Sequence, residues 1–188
     1  EADHAVLDAA QRLPERKGAE IVKALAEHGC YESPSARVEL MLGDARDSVR
    51  YLSARYDYIF LDGFTPDTNP ELWTIDFLSK LKERLKPDGF LASYCGAYPF
   101  KGALLELGFH LYESTPFGRR RGGTVAALDT APLLPPLPEK DILIATNSTA
   151  GTPYRDPLLR WTRDEILQDR VEHVARLRAS GIPKWYKG

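Results

Sequence analysis

Apolar positions along the chain change period several times, and each change marks an element. Ala5, Val6, Ala9, Ala10 and Leu13 recur at helical spacing behind Asp3, which is placed to cap the first turn, until Pro14 stops the pattern. A second helix is predicted over 18–28, with Ile21, Val22, Leu25 and Ala26 on one face and Gly29 closing it. The period then shortens: 37–42 is a short β-rich run ending in Gly43-Asp44-Ala45, and 47–54 is helical again. Residues 58–61 (YIFL) form a continuous apolar run of the kind a parallel strand covered on both faces needs, ending in Asp62-Gly63. An amphipathic helix over 72–85 is stopped by the turn signal Pro87-Asp88-Gly89. Strands follow at 90–94, 109–114 and 124–128, with a helix at 100–107 after the first of them.

Strands and helices alternating at this spacing predict an α/β fold, an open sheet with crossover helices. The runs 109–114 and 124–128 are joined by a loop without a helix, so they are expected to pair antiparallel, because a parallel pair needs a longer crossover. Residues 130–138 (TAPLLPPLP) read as a stiff, extended connector. Beyond it, 142–145 is expected to be one more short strand and 164–179 a charged amphipathic helix. The chain carries no internal repeats.

Composition narrows this only a little. At 188 residues and 43% hydrophobic, the chain can bury one good core, and one domain is the default. A formal charge of −2 gives no global nucleic-acid signature, so RNA contact would need a local basic patch, and one exists near Arg119. The two cysteines, Cys30 and Cys95, and the four scattered histidines show no metal-ligand spacing, which argues for a reducing compartment and against a zinc site. No apolar run approaches the ~20 residues needed to span a bilayer, and no signal peptide opens the chain, so a cytoplasmic protein without a membrane partner is expected.

In an open α/β sheet, ligands bind outside the carboxyl ends of the strands. Four segments qualify: Glu1, Gly43-Asp44-Ala45, Asp62-Gly63-Phe64 and Tyr94-Cys95-Gly96. Glu1 can accept from ribose hydroxyls or can be a surface acid beside a helix start. Asp44 can accept from an adenine amino group while the next amide donates to the ring, or it can be an N-cap. The stretch 61–73, LDGFTPDTNPELW, joins a buried strand to a helix through Pro66 and Pro70, which restrict the backbone of a loop beside a reacting centre. Asp62 can accept from a substrate amine, and Phe64 and Trp73 offer flat faces to a base or a sulfonium; alternatively the aromatics pack core and Pro70 starts the helix. Arg119-Arg120-Arg121, flanked by glycines in the hairpin loop, suits phosphate contacts, or is solvated surface. The tail cations Arg160, Arg163, Arg170, Arg176, Arg178 and Lys184 are interleaved with acids and read as solvated surface.

LDGFTPDTNPELWT, followed by LKPDGFLASY, LLELGFHL and PFGRRRGG, resembles the methyltransferase part of the bifunctional tRNA-modifying enzymes that complete 5-methylaminomethyl-2-thiouridine, and their stand-alone relatives. The likeness covers about 38–128, and the DGFxPxxNPxLW block is specific to that family. The resemblance implies a class I, Rossmann-like methyltransferase sheet, mostly parallel with an antiparallel last strand. It further implies methyl transfer from S-adenosyl-L-methionine to the aminomethyl group of a wobble uridine in the tRNA anticodon stem-loop. Carried over, Asp62 falls on the acid near the substrate amine and beside the cofactor, while Glu1 and Gly43-Asp44-Ala45 fall on cofactor positions. Gly63, Phe64, Pro66, Trp73 and the three arginines then face the substrate. The family's first strands and glycine-rich turn have no counterpart here, so the first strands are expected to be missing and cofactor binding to be poor. Residues 1–130 are expected to form the methyltransferase domain, with 131–188 a connector and helical tail packed on it, and no flavin-binding oxidase is expected. Two alternatives stay open: another adenosyl-cofactor enzyme such as an aminopropyltransferase, and an RNA-binding domain of the same fold without catalysis.

Overall fold

The computed structural model describes residues 8–9, 12, 18–116, 122–129 and 131–186. The chain divides into two compact units, Glu1–Tyr51 and Leu52–Gly188. Glu1, Arg119, Arg120 and Arg121, and most of the first predicted helix, lie outside the described residues.

In the first unit, α1 (Ala19–His28) ends at Gly29 as expected, whose amide caps the helix on the Leu25 carbonyl. Next come β1 (Cys30–Ser33) and β2 (Ala36–Glu39), paired antiparallel as a tight hairpin, and then α2 (Ala45–Tyr51). The sequence pattern placed a strand at 37–42 but missed its partner. Cys30-Tyr31-Glu32-Ser33 carries too little apolar alternation to announce a strand, and its pairing is closed by the turn in which Ser33 Oγ accepts from the Ala36 amide at 3.1 Å.

The second unit holds the sheet. Its strands are β3 (Tyr56–Leu61), β4 (Leu85–Ser93), β5 (His110–Glu113) and β6 (Thr124–Ala127), in the order β3-β4-β6-β5. β3 and β4 are parallel, and β6 runs antiparallel to both β4 and β5. Three strands therefore share one direction and the last reverses it, the mostly parallel α/β arrangement expected. A 3-10 turn (Pro70–Trp73) leads into α3 (Ile75–Arg84), which starts where Thr74 Oγ1 accepts from the Phe77 amide. The turn signal Pro87-Asp88-Gly89 lies inside β4, where the pairing to β3 jumps from Tyr56↔Leu85 to Tyr58↔Phe90 and the residues between bulge out. α4 (Tyr98–Glu106) crosses from β4 to β5. Trp73, Leu78, Leu91, Phe100 and Leu104 are fully buried in the core between these elements.

Along β3, Leu61 is buried while Tyr58 and Phe60 are exposed, so among the described residues of this unit the apolar run is covered on one face. The tail differs from expectation at one element. Residues 142–145 lie within a helix, α5 (Glu139–Asn147), and not in a strand. Ile142-Leu143-Ile144-Ala145 has the β-branched content of a strand, but Pro138 at the helix start and Glu139 and Asp141 in the first turn complete a helix start that the short apolar run concealed. A second 3-10 turn (Thr149–Gly151) follows, and α6 (Arg163–Ala179) opens with a capping box between Thr162 and Glu165.

Candidate functional site

The parallel register Leu61↔Ser93 brings the carboxyl ends of β3 and β4 side by side. There a cleft of about 280 Å³ is lined by Phe60, Leu61, Asp62, Ala92, Ser93, Tyr94 and Ser114. Asp62, the first residue past β3, is exposed to it. Among the described residues, the cleft is lined by the exposed Asp62 carboxylate and the aromatic rings of Phe60 and Tyr94. That combination favours a cationic or amine-bearing ligand.

The loop after Asp62 is fixed at several points. Tyr94 donates its hydroxyl to the Gly63 carbonyl at 2.6 Å, and Trp73 Nε1 donates to the Phe64 carbonyl at 2.8 Å. The Thr65 carbonyl accepts from the Thr68 and Asn69 amides at 2.8 and 2.9 Å, closing a helical turn before Pro70. From the tail, Arg163 Nη2 donates to the Asp67 carbonyl at 3.0 Å and the Tyr154 hydroxyl to the Asp67 carboxylate at 3.2 Å. A loop held at both ends and at its tip keeps Asp62 and Phe64 presented at little cost in ordering when a ligand arrives.

The expected substrate residues separate here. Phe64 is 75% exposed, so its ring is open to a ligand. Trp73 is 0% exposed, with its ring edge-on to Tyr94 and Phe100, so it cannot offer a face to a ligand: this corrects the expectation, and its part is to seal the loop's base. Pro66 is buried, and with Asp67 it borders a different cleft against the tail. In the first unit, Gly43 sits in the turn with φ 119°, a conformation that glycine adopts without strain. Asp44 caps α2 by accepting from the Arg46 amide at 2.8 Å, and its carboxylate is bridged by the Arg46 guanidinium, with Nη2 at 2.7 Å. Partial burial pushes the Asp44 pKa up, but the hydrogen bonds and charge of Arg46, with Arg50, more than offset this and hold it below the usual carboxylate value. Asp44 is thus an N-cap whose exposed side keeps acceptor capacity.

Tyr94, Tyr154 and Arg163 were missed as loop-holding residues. Tyr94 was identifiable as a strand-end residue, whereas Tyr154 and Arg163 stand 87 and 96 residues from their partner and gave no local signal. Among the described residues, no group of three or more His, Cys, Asp or Glu is placed to hold a metal, and no helix is long and apolar enough to cross a membrane.

Residues 10–129 match a family model described as S-adenosyl-L-methionine-dependent methyltransferase. An uncharacterized protein of Methanocaldococcus jannaschii is 36% identical over 150 residues, which is 79% of this chain and 42% of that protein. The tRNA 5-methylaminomethyl-2-thiouridine biosynthesis bifunctional protein MnmC of Ralstonia nicotianae is 36% identical over 100 residues, 53% of this chain and 15% of that one. Among solved structures, MnmC2 from Aquifex aeolicus superposes with a TM-score of 0.76 at 38% identity, covering 87% of this chain and 53% of that chain. The chain therefore spans about half the length of that structure, and less of the curated relatives.

Proposed function

The chain belongs to the S-adenosyl-L-methionine-dependent methyltransferase family, and from that premise we propose that it methylates the exocyclic amine of 5-aminomethyluridine, with or without a 2-thio group, at the wobble position of tRNA in the cytoplasm. The observation that carries this reading is the exposed Asp62 carboxylate at the end of β3, in a cleft shared with Phe60 and Tyr94 and beside a loop tied down by Tyr94 and Trp73.

The residues fit the cofactor by the chemistry of their donor set. A carboxylate with Phe60 in the same cleft suits a sulfonium, and family resemblance assigns Asp44 and Ala45 to the adenine. Gly43 leaves room for close approach at that turn, and Glu1 is assigned to the ribose by family resemblance. When bound, S-adenosyl-L-methionine supplies a methyl group already activated as a sulfonium.

What remains for the protein is placement. Asp62 accepts an N–H of the substrate amine and turns its lone pair into the cleft; holding reactants in line is worth on the order of 7–11 kcal/mol in favourable cases. The charge of Asp62 favours the ammonium form, so the proton must leave to solvent before attack, and desolvation within the cleft assists that loss. Asp62 is therefore an orienting group in the first place. Phe64 stacks on the target base, Gly63 allows its approach, Pro66 holds the loop backbone, and Arg119-Arg120-Arg121 contact phosphates of the anticodon stem-loop.

The test is incubation with labelled S-adenosyl-L-methionine and tRNA bearing 5-aminomethyluridine, followed by nucleoside mass analysis. Asp62→Ala should lower kcat by about 10²-fold or more while cofactor affinity stays within a few-fold, in keeping with loss of one oriented polar contact at a reacting centre. If the wild-type protein leaves that nucleoside unmethylated, the substrate assignment fails. If Asp62→Ala loses the cofactor instead, the role of Asp62 fails.

A further inference from the structure

A second cleft, sharing no lining residue with the one at Asp62, lies between the Pro66-Asp67 loop and the tail. At about 340 Å³ it is at the small end of ligand pockets, which run to about 300–1,000 Å³. Arg170 and Arg178 stand eight residues apart on α6, on the face that Val174 shares, and Lys184 follows the helix. Arg170 lies over the Tyr154 ring at 4.9 Å and donates Nε to the Thr152 carbonyl at 2.8 Å. Arg178 Nε donates to Thr149 Oγ1 at 3.1 Å. These bonds aim the two guanidinium groups without neutralising them. Among the described residues, none of the three cations has a carboxylate within ion-pair distance. Asp67 is the acid in the lining, and its carboxylate accepts from Tyr154. Burial lowers the Arg170 pKa, against the opposing pull of Tyr154 and Asp67, which marks a charge short of solvent.

The same lining carries braced aromatic rings. Trp185 is 45% exposed and meets the Tyr98 ring edge-on at 5.6 Å. Tyr98 is held in turn by its hydroxyl on Asp141 Oδ1 at 3.0 Å, with Lys101 bonded to the same carboxylate at 2.7 Å. A flat face set beside unneutralised cations in a concavity matches a nucleotide: stacked base on one side, phosphate on the other. An acidic peptide would use the cations alone, and a lipid surface calls for a protruding apolar face in place of a hollow.

We propose that this cleft binds one nucleotide of the RNA strand other than the one methylated, with its phosphate on Arg178 and Lys184, Arg170 behind them, and its base on Trp185. This rests on the reading of tRNA as substrate. It assigns a role to tail cations that the sequence alone presents as solvated surface.

The test measures binding of tRNA to the full chain by fluorescence anisotropy across a salt series. The double variant R178E/K184E should weaken binding and make the slope of log affinity against log salt shallower by about 1.4, two contacts at about 0.7 each for single strands. Trp185→Ala should weaken binding about 10-fold and leave that slope unchanged, as loss of one stacked base does. Both should keep the far-UV circular dichroism spectrum and the thermal midpoint of the wild type, which shows that they are folded. A free nucleoside 5′-monophosphate should compete only weakly; strong competition by it with no effect of the variants on tRNA would make a free nucleotide the ligand and overturn the proposal. Wild-type methylation of tRNA, with both variants unchanged in affinity and slope, would overturn the cleft and leave the substrate reading standing. Wild-type protein that neither binds nor methylates tRNA would overturn both.

Discussion

Trp73 and Phe64 are joined by a 2.8 Å hydrogen bond across one loop, yet the first is fully buried and the second is 75% exposed. Their substitutions should diverge accordingly. Trp73→Ala removes a ring packed on Phe100 and Tyr94 and should cost about 3–5 kcal/mol of unfolding free energy in a urea titration. Phe64→Ala should stay within about 0.5 kcal/mol while lowering methyl transfer to RNA. Equal losses of stability would mean that the loop is not organised this way. Both residues were legible as aromatics flanking a proline-bounded loop, and Asp62 as an acid at a strand end. What the sequence could not supply was which ring turns inward, because that depends on Tyr94 and Phe100 from other elements. Asp44 shows the same limit: its place after a turn was readable, but the choice between capping and ligand contact hinges on Arg46, whose guanidinium folds back onto it.

Among the elements, α4 illustrates a case where local propensity and tertiary packing oppose each other. Gly102 lies in its middle, where alanine is ordinarily worth about 1 kcal/mol more in helix stability. A Cβ there would overlap the Gly151 carbonyl in the 3-10 turn packed against the helix. Overpacking of this kind typically costs about 1–3 kcal/mol, and the obstacle is backbone that cannot swing aside, so the clash should win. Gly102→Ala is therefore expected to lower the thermal midpoint, and a rise would show that helix and turn separate in solution. The strand and helix periods were sufficient to place β3, β4, β5, β6 and α6, since each carries its own apolar pattern or caps. They failed at Cys30–Ser33, which is polar and exists as a strand because the chain folds back on it, and at Glu139–Asn147, where a four-residue apolar run outweighed the proline and acids before it.

At the level of the whole molecule, Tyr154 links the tail to the sheet unit's loop. Its backbone bridges Thr74 and accepts from the Ile75 amide at 2.9 Å, its hydroxyl reaches Asp67, and Arg170 covers its ring. Burial pushes its pKa up from 10.0 to about 12; Asp67 adds to the shift and Arg170 opposes it. Below pH 10 the group is neutral in folded and unfolded chains alike, and its contribution to stability is complete. Between about 10 and 12 the unfolded chain gives up the proton while the folded chain retains it, so the folded state binds more protons and stability must fall as pH rises. Above about 12 that contribution is gone. The chain has eight further tyrosines, so the comparison needed is between wild type and Tyr154→Phe. Denaturant midpoints measured from about pH 8 to pH 11 should decline more steeply for wild type, because phenylalanine keeps the ring under Arg170 but has no proton to lose. Parallel decline in the two proteins would mean that water reaches the Tyr154 hydroxyl in solution, and that the tail does not close over Asp67 as it does here.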